Sequence, residues 1–429
     1  MNGNLIIKNA SELVTCSGFK AKKGKEMAEL HIISDGAVII KDGIIETVGT
    51  TANIDAELNK SVKDLSGFDI IDARDKAVLP GFVDSHTHFV FGGHRAEEFS
   101  WRLRGDSYMD IMQRGGGILN TVEATRRASH EELTQSGIKR LDSFLSFGVT
   151  TVEGKSGYGL DHDTEIKQLE VMADLDKLHY VDVVPTFLGA HAVPKDYQGR
   201  EDDFIDFIMQ DVMPEVAERK LAEFCDIFCE KSVFSVAQSR RLLSRAKELG
   251  LKVKLHADEI VQLGGAELAA ELKAVSADHL LQASEEGVRR MAEGGVVATL
   301  LPGTAFSLRE PYARGRDIID ADGAVALATD FNPGSCFTES IPLIFALATL
   351  YMNMSTEEAI TALTINAAAA LDRVDVVGSI DAGKSGDVVI LEYPSYHYIP
   401  YHISVNTVEK VIKKGNLVYD QKKRGMIYC

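Results

Sequence analysis

Eight short apolar runs recur along the middle of this chain, and helix-like stretches separate most of them. Each run reads as a strand that is buried on both faces. Intervening stretches such as Asp163–Leu178, Ala237–Leu249 and Glu285–Ala292 repeat apolar residues with a helical period. The eight runs are Phe82–His88, Val149–Gly154, Val181–Ala190, Phe224–Glu230, Leu251–His256, Ala274–His279, Val296–Leu301 and Val325–Asp330.

Eight strands that alternate with helices predict an α/β fold, a (β/α)8 barrel of TIM type, which we place at residues 80–370. The alternative is a doubly wound open sheet. That arrangement fits six or seven strands better, and no Gly-x-Gly-x-x-Gly sequence follows the first run.

Both ends of the chain read as strands. The N-terminal runs are Leu5–Lys8, Gly36–Lys41 and Gly43–Val48, and the C-terminal runs are Gly386–Glu392 and Val408–Tyr419, with a turn at residues 413–416. Short β-branched runs between Gly, Asp and Asn residues are typical of strands and turns. We therefore expect residues 1–79 and 371–429 to pair into one small β-sandwich beside the barrel.

Charge and cysteine content limit the classes of partner and compartment. The formal net charge is −18 over 429 residues, whereas a nucleic-acid-binding surface needs a basic footprint. No apolar run approaches the roughly 20 residues that cross a bilayer, and no signal peptide is visible. Five scattered cysteines fit a reducing cytoplasm, and we expect Cys225 and Cys229 to pack as small apolar groups.

Polar side chains with catalytic potential lie where the predicted strands end. In a (β/α)8 barrel these positions share the C-terminal face, where the fold carries its catalytic groups. The residues in question are His86, His88, Tyr158, His191, His256, His279 and Asp330. We therefore expect a single site at this face.

His86 and His88 are the sharpest of these signals. Residues two apart on a strand point to the same side, so both imidazoles would face the barrel interior. With His256 and Asp330 they offer three nitrogens and one oxygen to a divalent ion and leave a position for water. Zinc and iron both accept such a set, whereas two histidines on an exposed strand are the alternative.

Longer motifs resemble the amidohydrolase superfamily. Pro80–His88 is similar to the superfamily's first barrel strand, and Thr364–Ala369 and Asp381–Ile390 are similar to its return into the β-sandwich. Further segments resemble one family within it, the imidazolonepropionases: Phe91–Arg95, Lys155–Gly159, Thr186–Pro194 and Ala328–Ser335. The resemblance covers nearly the whole chain.

The resemblance implies hydrolysis of the ring amide of 4-imidazolone-5-propanoate to N-formimino-L-glutamate, in histidine breakdown. Some superfamily members bind two metals through a residue after the third or fourth strand. Here Glu230 and Lys231 do not stand in a recognisable bridging context, which favours one ion per chain, zinc or iron. A structural role is the other interpretation of Glu230.

Three residues are predicted to carry proton transfer in that reaction. Asp330 would be the general base and proton carrier, because it would touch both the metal and the water. His279 would hydrogen-bond the attacking water or the developing oxyanion, or else fix another ligand in place. Glu259 would bond to or protonate a ring nitrogen, or else be an acidic residue at a helix start.

Substrate contacts are predicted from the propionate group and the strand-end loops. Arg95 would bind the carboxylate with a fork of two hydrogen bonds, whereas we expect its competitors Arg102 and Arg104 to lie on the surface. The remaining predicted contacts are Tyr158, His191, Glu259, Asn332, Gly334 and Ser335. For the last three, ordinary turn chemistry is the alternative.

The sequence leaves other functions open. A related enzyme such as a guanine-type deaminase would use the same metal but would need no arginine for a carboxylate. A barrel that had lost its active site would be a non-catalytic scaffold, although the metal ligands that such a loss would remove are present here.

Two further segments have more than one interpretation. Gln113–Gly117 fits a mobile loop over the barrel mouth better than a phosphate-binding loop. Ile341–Met352 fits core better than a homodimer surface.

Overall fold

Two β-sheets organise the chain, one parallel and one mixed. The computed structural model describes residues 3–61, 67–106, 116–423 and 425–426. The strands are β1 Leu5–Val14, β2 Ile32–Lys41, β3 Ile44–Thr50, β4 Asp69–Asp72, β5 Ala77–Pro80, β6 Phe82–Asp84, β7 Val149–Lys155, β8 Asp182–Ala190, β9 Phe224–Cys229, β10 Lys252–Ala257, β11 Ser276–His279, β12 Val297–Leu300, β13 Ala324–Leu327, β14 Val388–Leu391, β15 Val408–Lys413, β16 Asn416–Asp420 and β17 Gly425–Met426.

The helices cover most of the chain between the barrel strands. They are α1 Thr51–Ser61, α2 Ala96–Leu103, α3 Ile118–Arg127, α4 His130–Ser146, α5 His162–Leu178, α6 Glu201–Phe207, α7 Met213–Glu218, α8 Val236–Glu248, α9 Gly265–Leu272, α10 Glu285–Gly294, α11 Pro302–Leu308, α12 Gly315–Asp320, α13 Ile341–Tyr351, α14 Thr356–Leu363, α15 Ile365–Ala370 and α16 Tyr398–Tyr401. A π-helical segment, Ile208–Val212, joins α6 to α7.

Strands β6 to β13 form the predicted barrel. They pair in sequence order, each parallel to the next. Two backbone hydrogen bonds join the first strand's segment to the last, from the amide of His88 to the carbonyl of Phe331 (2.9 Å) and from the amide of Asp330 to the carbonyl of His86 (3.0 Å). An open sheet would leave these two edges apart, so the barrel prediction is confirmed.

Local capping explains where several helices begin. The Asp161 side chain accepts a hydrogen bond from the amide of Thr164 (2.8 Å) at the start of α5, and Ser235 and Gln238 form a reciprocal capping box at the start of α8. These helices and α10 begin and end within two residues of the predicted positions.

Two barrel strands end three or more residues earlier than predicted, and both ends carry site residues. β6 stops at Asp84 rather than His88, and β13 stops at Leu327 rather than Asp330. Asp330 has a left-handed backbone conformation with φ of 51°, which a continuing strand does not allow. The Asp84 carboxylate accepts hydrogen bonds from the amide (3.1 Å) and the hydroxyl (2.6 Å) of Thr329. Each predicted run is therefore a short strand followed by a loop.

Strands from both chain ends form the second sheet, as predicted. Its order is β17-β16-β15-β14-β5-β1-β2-β3, and β4 pairs with β1. The two ends of the chain meet where β14 pairs antiparallel with β5. Apolar side chains from β1, β2, β3, β5, β14 and β15 pack into one buried cluster, so this sheet has a core of its own.

The cysteine pair and the apolar stretch near residue 345 are both buried. Cys225 and Cys229 are inaccessible in β9, which confirms that they pack as small apolar groups. Most side chains of α13 are buried, although Leu350 and Tyr351 are exposed. The loop predicted at Gln113–Gly117 lies mainly outside the described residues. In the described ranges, no helix combines the length and apolar character needed to cross a bilayer.

Asn366 joins the N-terminal segment to the barrel through its buried side chain. Its Nδ2 donates to the carbonyls of Lys22 (2.8 Å) and Val325 (2.9 Å), and its Oδ1 accepts from the amide of Lys22 (2.8 Å). We predict that Asn366→Ala lowers the free energy of unfolding by about 2–4 kcal/mol, because buried backbone groups lose their partners. Urea unfolding measures this loss.

The control for this prediction is Asn59→Ala on the exposed side of α1. It should change the free energy of unfolding by less than about 0.5 kcal/mol. Equal losses in the two variants would contradict the role assigned to Asn366.

Candidate metal centre and active site

A cavity of about 760 Å³ lies at the C-terminal ends of the barrel strands. Small-molecule sites typically occupy roughly 300–1,000 Å³. Every predicted catalytic and substrate-binding residue lines this cavity, and of the predicted metal ligands only His86 lies behind its wall. The fold thus brings together residues that the sequence places at separate strand ends.

His86, His88, His256 and Asp330 converge beside this cavity. The ring centroid of His86 lies 5.3 Å from that of His88 and 4.6 Å from that of His256. Asp330 Oδ1 lies 3.6 Å from Nε2 of His86 and 3.7 Å from Nε2 of His88. All four side chains are buried, so the cluster is shielded from bulk water.

The ring nitrogens of this cluster lack the protein partners that buried polar atoms normally have. Among the residues that the structure describes, none hydrogen-bonds to Nε2 of His86, Nδ1 of His88 or Nε2 of His256. Burial holds the pKa of all three imidazoles well below the usual range, so they are neutral. Neutral imidazoles beside a carboxylate are donors that zinc and iron accept. The residues therefore fit a divalent metal ion.

Two carboxylates that the sequence did not single out orient these histidines. Nδ1 of His86 donates to Oδ2 of Asp278 (2.7 Å), which leaves Nε2 facing Asp330. Nδ1 of His256 lies 3.0 Å from Oδ2 of Asp226, within ion-pair distance but out of hydrogen-bond alignment. Such carboxylates fix the ring and its tautomer in metal sites. The sequence feature that could have identified these carboxylates is an acidic residue inside an otherwise apolar strand, as in β9.

Asp330 is held in a conformation that leaves one oxygen for the cluster. The Thr304 hydroxyl donates to Oδ2 (2.5 Å), while Oδ1 faces the histidines. Burial raises the pKa of this carboxyl to about 7, against the opposing effect of the Thr304 hydrogen bond. A carboxyl group that titrates near neutral pH can both accept and release a proton.

His279 and Glu259 lie beside the ligand cluster. The His279 ring centroid is 5.4 Å from that of His86 and 5.2 Å from that of His256, and these three rings also form a group close enough to share one ion. Nδ1 of His279 lies 3.6 Å from Oε1 of Glu259. Burial and neighbouring carboxylates raise the pKa of Glu259 to about 8, so this side chain is mainly protonated at pH 7.

Glu230 holds the loop that carries Glu259. Its buried carboxylate accepts hydrogen bonds from the backbone amides of Lys231 (2.7 Å) and Ile260 (2.8 Å). Across the described part of the chain, no group of side chains that could hold a metal includes Glu230. The structural interpretation of Glu230 therefore accounts for its contacts.

Arg95 supplies a cation to the cavity wall. Its Nε donates to Oε2 of Glu98 (2.8 Å). Its guanidinium packs so closely on Gly334 that a Cβ there would lie 2.1 Å from Nη1. Glycine at this position therefore lets the loop after β13 approach the arginine.

Arg102 lines the same cavity, so the expectation that it lies on the surface is wrong. It is partly buried and donates to the carbonyl of Gly334 (3.5 Å) and the hydroxyl of Ser307 (3.2 Å). Arg104, two residues later, is exposed as predicted. Residues two apart at the end of a helix point to different sides, which explains why only one of the two faces the cavity.

Asn332 organises the loop after β13. Its Oδ1 accepts from the amides of Gly334 (2.8 Å) and Ser335 (2.7 Å), and its Nδ2 donates to the carbonyl of Asp330 (2.7 Å). Turn chemistry, the alternative interpretation, thus accounts for the polar atoms of Asn332. Its effect is to place Gly334 and Ser335 on the cavity wall.

Tyr158 and His191 lie next to His88. The His191 ring stacks on that of His88, with centroids 4.8 Å apart, and the Tyr158 ring is 5.3 Å from His191. Nδ1 of His191 donates to the carbonyl of Gly157 (3.1 Å), which leaves Nε2 as an acceptor. Burial lowers the pKa of His191 to about 4, so its ring is neutral at pH 7.

Sequence comparisons place this geometry in a known family. A profile described as "Amidohydrolase family" matches residues 114–419. Imidazolonepropionase from Clostridium tetani is 64% identical over 417 residues, which cover 97% of this chain and 98% of that protein. Imidazolonepropionases from Bacteroides fragilis and Parabacteroides distasonis are 59% and 57% identical, and each alignment covers 97% of this chain and 99% of the relative.

Solved structures with the same architecture are more distant in sequence. An adenosine deaminase from Xanthomonas campestris has a TM-score of 0.72 at 19% identity, over 99% of this chain and 94% of that one. Guanine deaminase from E. coli has a TM-score of 0.67 at 15% identity, over 97% and 99%. At such identities the likeness shows the fold alone. From the profile and the relatives at 57–64% identity, the chain belongs to the amidohydrolase family and, within it, to the imidazolonepropionases.

Proposed function

We propose that this protein hydrolyses 4-imidazolone-5-propanoate to N-formimino-L-glutamate. One observation carries the proposal: a single cavity joins a buried histidine–aspartate cluster to a wall that contains Arg95 and Arg102. The cluster suits hydrolysis of an amide, and the arginines suit a substrate with a carboxylate. The imidazolone ring and its propionate chain present these two groups on one small molecule.

We assign one divalent ion, zinc or iron, to His86, His88, His256 and Asp330. Such an ion, when bound, lowers the pKa of a water molecule and polarises a carbonyl oxygen. We place His279 outside this set, beside the four ligands and with its Nδ1 3.6 Å from Oε1 of Glu259. It is therefore assigned to hydrogen-bond the attacking water or the oxyanion that develops on the substrate.

Asp330 moves the proton that the reaction requires. Its carboxyl group accepts a proton from the attacking water, with Oδ2 bonded to the Thr304 hydroxyl and Oδ1 facing the histidines. The water oxygen bonds to the ring carbonyl carbon, and the amide carbon–nitrogen bond breaks. Asp330 then returns the proton to the leaving nitrogen.

Substrate orientation is assigned to residues around this centre. Glu259, protonated at pH 7, donates a hydrogen bond to a ring nitrogen from its place beside His279. Tyr158 and His191 hold the ring from the side of His88. Arg95 binds the propionate carboxylate, and Gly334 and Ser335 close the same wall.

The competing functions fit this cavity less well. A guanine-type deaminase would not need the arginine wall, because its substrate carries no carboxylate. A non-catalytic scaffold would not need three buried histidines whose ring nitrogens lack partners among the described residues, because such atoms cost folding free energy without a ligand. Both alternatives would still be compatible with the barrel itself.

We also place the protein in the cytoplasm. Cys16, Cys225, Cys229 and Cys336 are free and buried. Free thiols persist in reducing compartments, and a small charged substrate fits an enzyme of central metabolism.

Turnover of freshly prepared 4-imidazolone-5-propanoate tests the proposed reaction. We predict that the purified protein, with its metal content measured on the same sample, removes the ultraviolet absorbance of the substrate and yields formiminoglutamate. Chelation should abolish the activity, and zinc or iron should restore it. Guanine serves as the control substrate. Rapid deamination of guanine without ring opening of the imidazolone would contradict the proposal.

Arg95→Ala tests recognition of the carboxylate. We predict that kcat/KM falls roughly 10- to 150-fold, mainly through KM, because a hydrogen-bonded ion pair with the substrate is lost. Arg104→Ala, on the same segment but exposed, is the matched control and should change kcat/KM by less than about twofold. Steady-state kinetics measure both. Unchanged KM in Arg95→Ala would show that another residue binds the propionate.

A further inference from the structure

Lys155 ends strand β7 within the Lys155–Gly159 motif, and the proposed reaction assigns it no role. Its side chain is completely buried in the barrel interior. Nζ lies 2.8 Å from Asp226, 3.1 Å from Glu153 and 3.4 Å from Asp278. An ammonium in such a place is stable only when carboxylates surround it, and these three come from β7, β9 and β11.

Two of these carboxylates are the ones that contact metal-site histidines. Oδ2 of Asp278 accepts from both Nδ1 of His86 (2.7 Å) and Nζ of Lys155 (3.4 Å). Oδ2 of Asp226 lies 3.0 Å from Nδ1 of His256 and 2.8 Å from Nζ of Lys155. In each case, the oxygen that faces the imidazole is the same oxygen that faces the lysine. A shift of Lys155 would therefore alter both histidine contacts together.

Other bonds fix the far sides of the two carboxylates. Oδ1 of Asp278 accepts from the hydroxyl of Ser276 (2.6 Å). Oδ1 of Asp226 accepts from the backbone amides of Ile227 (2.7 Å) and of His256 (3.2 Å), on the neighbouring strand β10. One oxygen of each carboxylate is thus held by groups other than the lysine, and Lys155 bonds to the other oxygen.

Lys254 provides an internal comparison. It is as deeply buried as Lys155, but its ammonium bonds to Oε1 of Glu153 (2.9 Å) and to the carbonyl of Ser85 (3.1 Å). Among the described residues, neither Glu153 nor the carbonyl of Ser85 forms a hydrogen bond with the ring of His86, His88 or His256. If buried lysines served only to balance charge, Lys155 and Lys254 would be equivalent.

We propose that Lys155 is a positioning residue that sets the orientation of His86 and His256 through Asp278 and Asp226, and thereby sets the affinity for the metal ion. The proposal rests on the metal-dependent function given above. Lys155 then serves the metal centre from the side of the histidines that faces away from the cavity. Tyr158, from the same motif, lines the cavity itself.

The test compares two charge-balanced double variants with the wild type. Lys155→Met with Glu153→Gln removes one cation and one anion from the network but leaves both histidine-bound carboxylates in place. Lys254→Met with Glu153→Gln makes the same change at the other lysine. Chelator competition gives the Co²⁺ dissociation constant, the visible spectrum of the Co²⁺ protein reports the ligand arrangement, and thermal unfolding measures stability separately.

We expect the Lys155 double variant to bind Co²⁺ about 10- to 100-fold more weakly and to show an altered visible spectrum, as when other partners of metal-binding histidines are removed. The Lys254 double variant should stay within about threefold of the wild type and keep its spectrum. Lys155→Gln gives the same comparison if the double variant does not accumulate as folded protein.

Two results would overturn the proposal. Wild-type affinity and spectrum in the Lys155 variants would show that the histidines do not depend on the lysine. Equal loss of affinity in the Lys155 and Lys254 variants would show a general effect on the barrel. A wild-type protein that binds no Co²⁺, zinc or iron would instead overturn the metal-dependent function, and this inference with it.

Discussion

The closure of the barrel between β6 and β13 is the constraint on which the site depends. Backbone hydrogen bonds pair the segment after β6 with the segment after β13. Beside them, the Asp84 carboxylate accepts a hydrogen bond from the Thr329 hydroxyl. This register sets His86 and His88 against Asp330. A slip of one residue would turn alternate side chains to the opposite side of the sheet, and the cluster would be lost even though the strands remained paired.

Burial of charge is the second constraint, and it follows from the first. The barrel interior contains Glu153, Lys155, Asp226, Lys254 and Asp278, all inaccessible to solvent. An unpaired charge in this position would cost several kcal/mol, so each one depends on partners from neighbouring strands. Two of the same carboxylates contact the histidines of the cluster. The same contacts therefore stabilise the barrel interior and set the geometry of the site.

Much of this arrangement is predictable from the sequence, for identifiable reasons. Strand and helix periods are local, so eight alternating runs predict the barrel, and the general geometry of that fold predicts that strand-end residues such as His256 and Asp330 meet. Strand ends are less predictable: β6 and β13 stop early because a left-handed Asp330 and the Asp84–Thr329 contact replace strand pairing.

Contacts between distant segments were beyond the sequence pattern. Asp226 and Asp278 lie inside apolar runs and Lys155 directly follows one, and their contacts become visible only when β7, β9 and β11 line the same barrel interior. Arg102 was expected on the surface, the usual place of an arginine, yet it lines the cavity and bonds to the carbonyl of Gly334. The sequence allowed Asn332 to be either a substrate contact or a turn residue. Its hydrogen bonds to the amides of Gly334 and Ser335 form the turn, and sequence composition does not show which of the two roles applies.

His86, His88, His256 and Asp330 are proposed to hold one metal ion in this interior. Anomalous diffraction at the zinc and iron absorption edges, from crystals of the protein as purified, would locate that ion. We expect one peak per chain, bounded by these four side chains, with Glu230 outside its coordination. A peak centred on a different buried group, His86, Glu153 and Asp278, or no peak in catalytically active crystals, would show that the ion is not held there.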